Sequence, residues 1–175
     1  SRAGKCIRFS EEDVRPMGRD TQGVKAMNLE EGDALVDMLV VDKSKDILTV
    51  TALGYGKRTD VEEYRLQGRA GKGIKAGVFN EKTGPLVNMK LVSDEDDVML
   101  ITAAGVIMRM HADAVSKIGR NTRGVRVMRV RDSEIATIAI AERDDEAETV
   151  LPAETAPSPE DAAEDAASGA AGDEE

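Results

Sequence analysis

The chain has 175 residues, 41 % of them hydrophobic but only 2 % aromatic, with no Trp and a single cysteine. A core must therefore be built from Val, Ile, Leu, Met and Ala; an internal disulfide and a cysteine-based zinc site are excluded, and no apolar run approaches the roughly 20 residues that a membrane helix needs. The formal net charge of −10 is unevenly held: residues 144–175 carry 12 acidic and no basic side chains, which leaves 22 acidic and 24 basic in residues 1–143, a net of +2. A slightly basic body with an acidic tail points to a polyanion partner or to self-screening by the tail. The N-terminus does not read as a signal peptide, and the lone Cys6 suits a reducing compartment.

In chain order, short apolar runs rich in Val, Ile and Leu predict strands at about 5–9, 23–29, 35–41 and 47–53, with turns at 30–33 and 42–46. A second group follows at 55–58, 73–79, 86–92 and 98–103, broken by NEKTGP at 80–85 and SDEDD at 93–97. A third gives 106–110, 124–130 and 135–141, then stops. Helical spacing is poor throughout, so the expectation is an all-β fold. From residue 144 the composition collapses to Asp, Glu, Ala, Pro, Ser and Gly, which predicts a disordered tail over 144–175.

The three groups are repeats. DILTVTALG at 46–54 is echoed by DVMLITAAG at 97–105, and Gly4, Gly54 and Gly105 each stand 14 residues before a Gly-Arg pair. Those pairs open GRDTQGV (18–24), GRAGKGI (68–74) and GRNTRGV (119–125), at a period of 50 and then 51 residues. A fixed period of this length made of short strands indicates a propeller-like array, with repeats at about 1–53, 54–104 and 105–143. The chain opens inside a repeat and lacks a fourth strand in the last, so further blades are expected before Ser1.

The repeated loop is the candidate site. Its glycines, Gly18, Gly23, Gly68, Gly73, Gly119 and Gly124, are expected to be structural turn positions that need positive φ or close backbone approach. Around them gather Arg19 and Lys25 in the first repeat, and Lys57, Arg58, Arg65, Arg69, Lys72 and Lys75 in the second. The third contributes Arg120, Arg123 and Arg126. One such cluster would be ordinary solvated surface; recurrence at equivalent positions suggests basic loops along a curved rim, a track for a polyanion backbone. Period 2 places Arg126 with Met128 on one strand face and Arg129 with Arg131 on the other. GRAGKGI lacks the Lys-Ser/Thr ending of a phosphate-binding P-loop and precedes no helix. Enzyme chemistry is thin: His111 is the one histidine, Cys6 reads as core, and the acidic run 94–97 matches no calcium loop and reads as a solvated turn.

The stretches SRAGKCIRFSEEDVRPMGRDTQGV, GYGKRT, YRLQGRAGKGI and SKIGRNTRGV resemble the C-terminal domain of bacterial DNA gyrase A across residues 1–143. The resemblance implies a β-pinwheel, a ring of four-stranded blades that wraps double-stranded DNA on its basic outer edge and so supports ATP-dependent negative supercoiling by a type II topoisomerase. It implies as partners the rest of the gyrase A polypeptide and gyrase B in an A2B2 complex, a cytoplasmic location, and Mg2+ and ATP as cofactors of the holoenzyme, with none in this chain. The family's heptapeptide of Gln, Arg, Arg, Gly, Gly, Lys, Gly is absent; Gln67 to Gly73 is a relative of it, with Gly68 for one Arg and Ala70 for one Gly. The DNA-cleaving tyrosine would also lie elsewhere, since Tyr55 and Tyr64 both sit inside the repeat. The topoisomerase IV counterpart and a propeller used as a protein scaffold are the alternatives. Scarce aromatics argue against single-strand binding, which stacks bases on aromatic rings. The acidic tail is expected to compete with phosphates for the same basic side chains.

Overall fold

The computed structural model describes residues 1–143; the expected tail lies outside them. They form nine strands and three short 3-10 turns, with no longer helix. The strands are β1 (Lys5–Cys6), β2 (Asp46–Thr51), β3 (Tyr55–Asp60), β4 (Ile74–Lys75), β5 (Leu86–Val92), β6 (Asp96–Thr102), β7 (Ile107–His111), β8 (Val125–Arg126) and β9 (Ile135–Glu142). The all-β reading of the sequence therefore stands.

Sheets and repeats do not coincide. The four-stranded sheet runs β5-β2-β3-β8 and is antiparallel throughout. Its β2 comes from the first repeat, β5 and β3 from the second, and β8 from the third. The three-stranded sheet, β7-β6-β9, repeats the pattern one step on, and the two-stranded sheet β1-β4 is the same arrangement one step back. Equivalent bonds recur one repeat apart: the Ala76 amide donates to the Gly4 carbonyl at 2.8 Å, as the Val127 amide does to Gly54 at 2.9 Å. Each repeat is thus stitched into its neighbours by main-chain hydrogen bonds.

This exchange explains the two predicted strands that do not form, 23–29 and 35–41. In later repeats the counterparts of these segments pair with strands one repeat earlier: β4 with β1, β8 with β3, β5 with β2 and β9 with β6. Among the described residues no strand stands in that partner position for the first repeat, and a strand without a ladder leaves its N–H and C=O groups to water. Met38 and Val40 are accordingly 75 % and 83 % exposed, although their pattern is apolar.

The core lies between sheets. Leu48 and Val50 of β2 pack with Val98, Leu100, Ile135 and Ile138 of the three-stranded sheet. Ile47 turns to the other side, with Val61, Tyr64 and Ala76. Both faces of β2 are covered, which is why ILTVT reads as a continuous run and not as an alternation. Each large side chain buried there contributes about 1.5–3 kcal/mol of transfer free energy.

The second motif glycine is required and the first is not. Gly23, Gly73 and Gly124 have φ of 74°, 71° and 88°, while Gly18, Gly68 and Gly119 do not take positive φ. At Gly124 a Cβ would stand 2.6 Å from the Gly56 carbonyl oxygen, where β8 meets β3; at Gly23 it would meet nothing within 4 Å. Gly23→Ala is therefore expected to destabilise by about 1–2 kcal/mol, the left-handed backbone penalty alone. Gly124→Ala adds a backbone collision and is expected to lose about 3 kcal/mol or more. Urea unfolding of the two variants, read as midpoints at equal slope, checks the order.

Candidate nucleic-acid interface

The second and third motif loops are each bonded to the repeat before them. Before the loop, the Gln67 amide donates to the Arg8 carbonyl at 2.8 Å, and Ile118 does the same to Arg58 at 2.9 Å. Farther along, the Asn28 amide donates to the Gly71 carbonyl at 2.8 Å and the Val78 amide to Thr122 at 3.1 Å. In the first and third motifs a threonine closes the turn: Thr21 Oγ1 donates to Gly18 at 2.9 Å and Thr122 Oγ1 to Gly119 at 2.7 Å. The second motif has Gly71 at that position and instead holds Ala70 at φ 65°.

The motif arginines turn along the molecule. Arg69 Nη1 donates to the Lys25 carbonyl and its Nε to the Asp13 carbonyl at 3.3 Å. Arg120 Nη1 donates to the Lys75 carbonyl, and the Arg120 amide to Glu63 Oε2 at 2.6 Å. Both are partly buried, and Arg120 Nε is fully enclosed without a hydrogen-bond partner among the described residues. Arg19, at the same motif position in the first repeat, is exposed.

Lys57 and Arg58, expected among the outward basic residues, point inward. Lys57 is 1 % exposed, and its Nζ donates to the carbonyls of Gly119 at 3.2 Å, Arg120, and Thr122 at 2.8 Å. The ammonium therefore clasps the third motif loop from beneath. Burial pushes its pKa down to about 8, opposed by Glu63. Arg58 is 7 % exposed; its Nε donates to the Val115 carbonyl at 2.8 Å and its Nη1 to Asp94, with Asp46 at 3.6 Å. Arg8 makes the equivalent clamp on Tyr64 at 3.2 Å. Buried cations are tolerated only when their donors are matched in this way, so neither Lys57 nor Arg58 is open to a ligand.

The outward set is Lys25, Lys75 and Arg126, which are equivalent in the frame and all exposed. Arg19, Arg65 and Lys72 are exposed beside them, and Arg123 is half-buried. Arg126 lies over the Tyr55 ring, 5.3 Å from its centroid, and donates to its hydroxyl at 3.0 Å, which orders the guanidinium at the surface. Sequence reasoning missed Lys5, the cross-strand partner of Lys75; its register position, equivalent to Tyr55, was the available signal. It also misplaced Met128. The amides of Val127 and Met128 both donate to the Gly54 carbonyl, so two residues oppose one. That offset breaks the period of 2, and Met128 packs on the core while Arg126 stays outside.

Other reactive groups are spent on structure. Asp97 is buried and accepts from Arg109 Nε at 2.7 Å, with His111 Nδ1 at 2.6 Å. Asp94 meets Arg58 and Asp96 meets Lys45 at 3.7 Å, so the acidic run diverges. Among the described residues no group of three or more His, Cys, Asp or Glu is placed to hold a metal ion. Tyr55 and Tyr64 are both buried, and burial raises the Tyr64 phenol well above its ordinary pKa. Burial likewise raises the Cys6 thiol.

Replacing Lys57 by Met leaves the Gly119 and Arg120 carbonyls without this donor and is expected to destabilise by about 2–4 kcal/mol, whereas Lys75→Met stays within about 0.5 kcal/mol. The folded pKa of Lys57 lies below its unfolded value, so the unfolded chain binds the extra proton between about pH 8 and 10.5. Denaturation of wild type and Lys57→Met across that window should show their difference widening as pH rises.

The comparisons with known proteins agree with this geometry. The family described as DNA gyrase C-terminal domain, beta-propeller, matches residues 1–42, 45–93 and 96–141. The DNA gyrase A protein of Staphylococcus epidermidis (strain ATCC 12228 / FDA PCI 1200) is 44 % identical over 143 residues, covering 80 % of this chain and 16 % of that protein. Its counterpart in Staphylococcus aureus (strain NCTC 8325 / PS 47) is 43 % identical over 146 residues, 82 % of this chain and 16 % of that protein. The chain thus spans about a sixth of the length of these relatives. A solved DNA gyrase A C-terminal domain superposes with a TM-score of 0.75 at 30 % identity, over 79 % of this chain and 48 % of that one. A solved C-terminal domain of DNA topoisomerase IV also gives 0.75, over 81 % of this chain and 45 % of that one, but at 24 % identity, a likeness of fold alone. The chain belongs to the DNA gyrase C-terminal domain family, with its β-propeller fold.

Proposed function

We propose that the chain binds and wraps double-stranded DNA as the C-terminal part of a gyrase A protein. The observation that carries the reading is the outward placement of Lys25, Lys75 and Arg126 at equivalent points of successive motifs, with Arg19, Arg65, Lys72 and Arg123 in the neighbouring loops. Such a row meets phosphates without presenting any base-reading helix, so recognition is of the DNA backbone and its bendability. Gly73 and Gly124 turn the second and third loops into β4 and β8.

In this reading the wrapped segment is handed to a cleavage core elsewhere in an A2B2 holoenzyme, a cytoplasmic ATP-dependent type II topoisomerase. Cleavage, ATP and Mg2+ belong to that core: the tyrosines of this chain are enclosed, and its basic residues act through charge and position. The 144–175 segment would act as an acidic competitor for the same surface.

Duplex affinity should fall with salt, each phosphate neutralised adding about 0.9 to the slope of log affinity against log salt. Lys25→Gln, Lys75→Gln and Arg126→Gln should each lower that slope by about 0.9 without preference among DNA sequences. Fluorescence anisotropy at several salt concentrations reads the slope; a flat response in the unmodified chain would contradict the proposal.

A further inference from the structure

The motif arginines carry a role that phosphate contact does not explain. Arg69 and Arg120 are 51 residues apart, and each donates Nη1 to a carbonyl of the repeat before it. Those carbonyls belong to Lys25 and Lys75, the residues whose side chains face outward. The second bonds converge as well: Arg69 Nε reaches the Asp13 carbonyl at 3.3 Å, and the Arg120 amide meets Glu63, the counterpart of Asp13, at 2.6 Å. Arg120 is half-buried, and its Nε is enclosed.

We propose that Arg69 and Arg120 are positioning residues: each fixes the backbone of the outward basic residue one repeat earlier, and so sets the spacing and angle between successive phosphate contacts. Together they define the curvature imposed on a wrapped duplex. The inference rests on the DNA-binding reading above. A planar guanidinium offers donors in fixed directions and holds this geometry, whereas lysine supplies the same charge from a flexible stem as a point donor.

The test uses the full chain and a duplex labelled with a fluorophore at each end, shorter than the persistence length of about 150 base pairs, so that energy transfer between the ends reports bending imposed by the protein. Arg120→Lys and Arg120→Gln should lower the transfer at saturating protein to the same degree. Both should leave the salt slope of binding at the wild-type value. Lys72→Gln, at an exposed position of the second motif, should do the reverse, lowering the slope by about 0.9 while the transfer at saturation is kept. The proposal is overturned if Arg120→Lys matches wild type in both readouts while Arg120→Gln loses about 0.9 of slope, because charge alone would then suffice. Circular dichroism melts establish that the variants are folded at the assay temperature; should Arg120→Lys unfold, Arg69→Lys carries the same comparison. If the unmodified chain does not bind duplex DNA, the DNA reading fails and this proposal falls with it; if it binds but Arg120→Lys bends DNA normally, only this proposal falls.

Discussion

The structure depends on main-chain hydrogen bonding between consecutive repeats. No repeat closes a sheet of its own: β2 of the first repeat is flanked by β5 and β3 of the second, and β8 of the third completes the sheet. The motif loops, the positive-φ glycines and the inward basic side chains follow from that exchange. Where β8 and β4 dock, two backbones approach so closely that a Cβ on Gly124 or Gly73 would lie 2.6 Å and 2.5 Å from a carbonyl oxygen. Glycine there is a condition of the ladder.

The same constraint sorts the basic residues. A loop pressed onto its neighbour exposes carbonyls at the seam, and these need donors. Lys57, Arg58, Arg69 and Arg120 supply them from side chains long enough to cross from one repeat to the next. What remains outside is a smaller set at repeating positions. Isolated surface ion pairs contribute little to stability, so side chains such as Lys25 and Lys75 are available for a ligand without loss to the fold. Separating seam from surface allows a strongly basic motif to hold the array together and still present charge.

Much of this was legible in the sequence. The period, the β content and the motif glycines came from self-similarity, which survives because each repeat meets the same neighbours. Pairing across repeats was not legible, since ILTVT carries no label for its partner; nor was the loss of strands at 23–29 and 35–41, whose apolar pattern is intact but which find no ladder partner among the described residues. The facing of basic residues was misread for a related reason. Strand periodicity holds only while one residue opposes one, and the shared Gly54 carbonyl breaks that count at Val127 and Met128. Lys57 gave no warning either, because its counterparts Ile7 and Met108 are apolar, a contrast that marks an interior position only once the frame is known.

The division of the basic residues into a seam set and a surface set is tested most directly by lysine acetylation footprinting with and without duplex DNA. Lys25, Lys72 and Lys75 are expected to react readily in the free chain and to be protected by DNA. Lys57 should stay unreactive in both states, despite a pKa near 8 that favours its nucleophilic form, because it is enclosed by the third motif loop. Ready acetylation of Lys57 in the folded chain, or unchanged reactivity of Lys25 and Lys75 on saturating DNA, would contradict it.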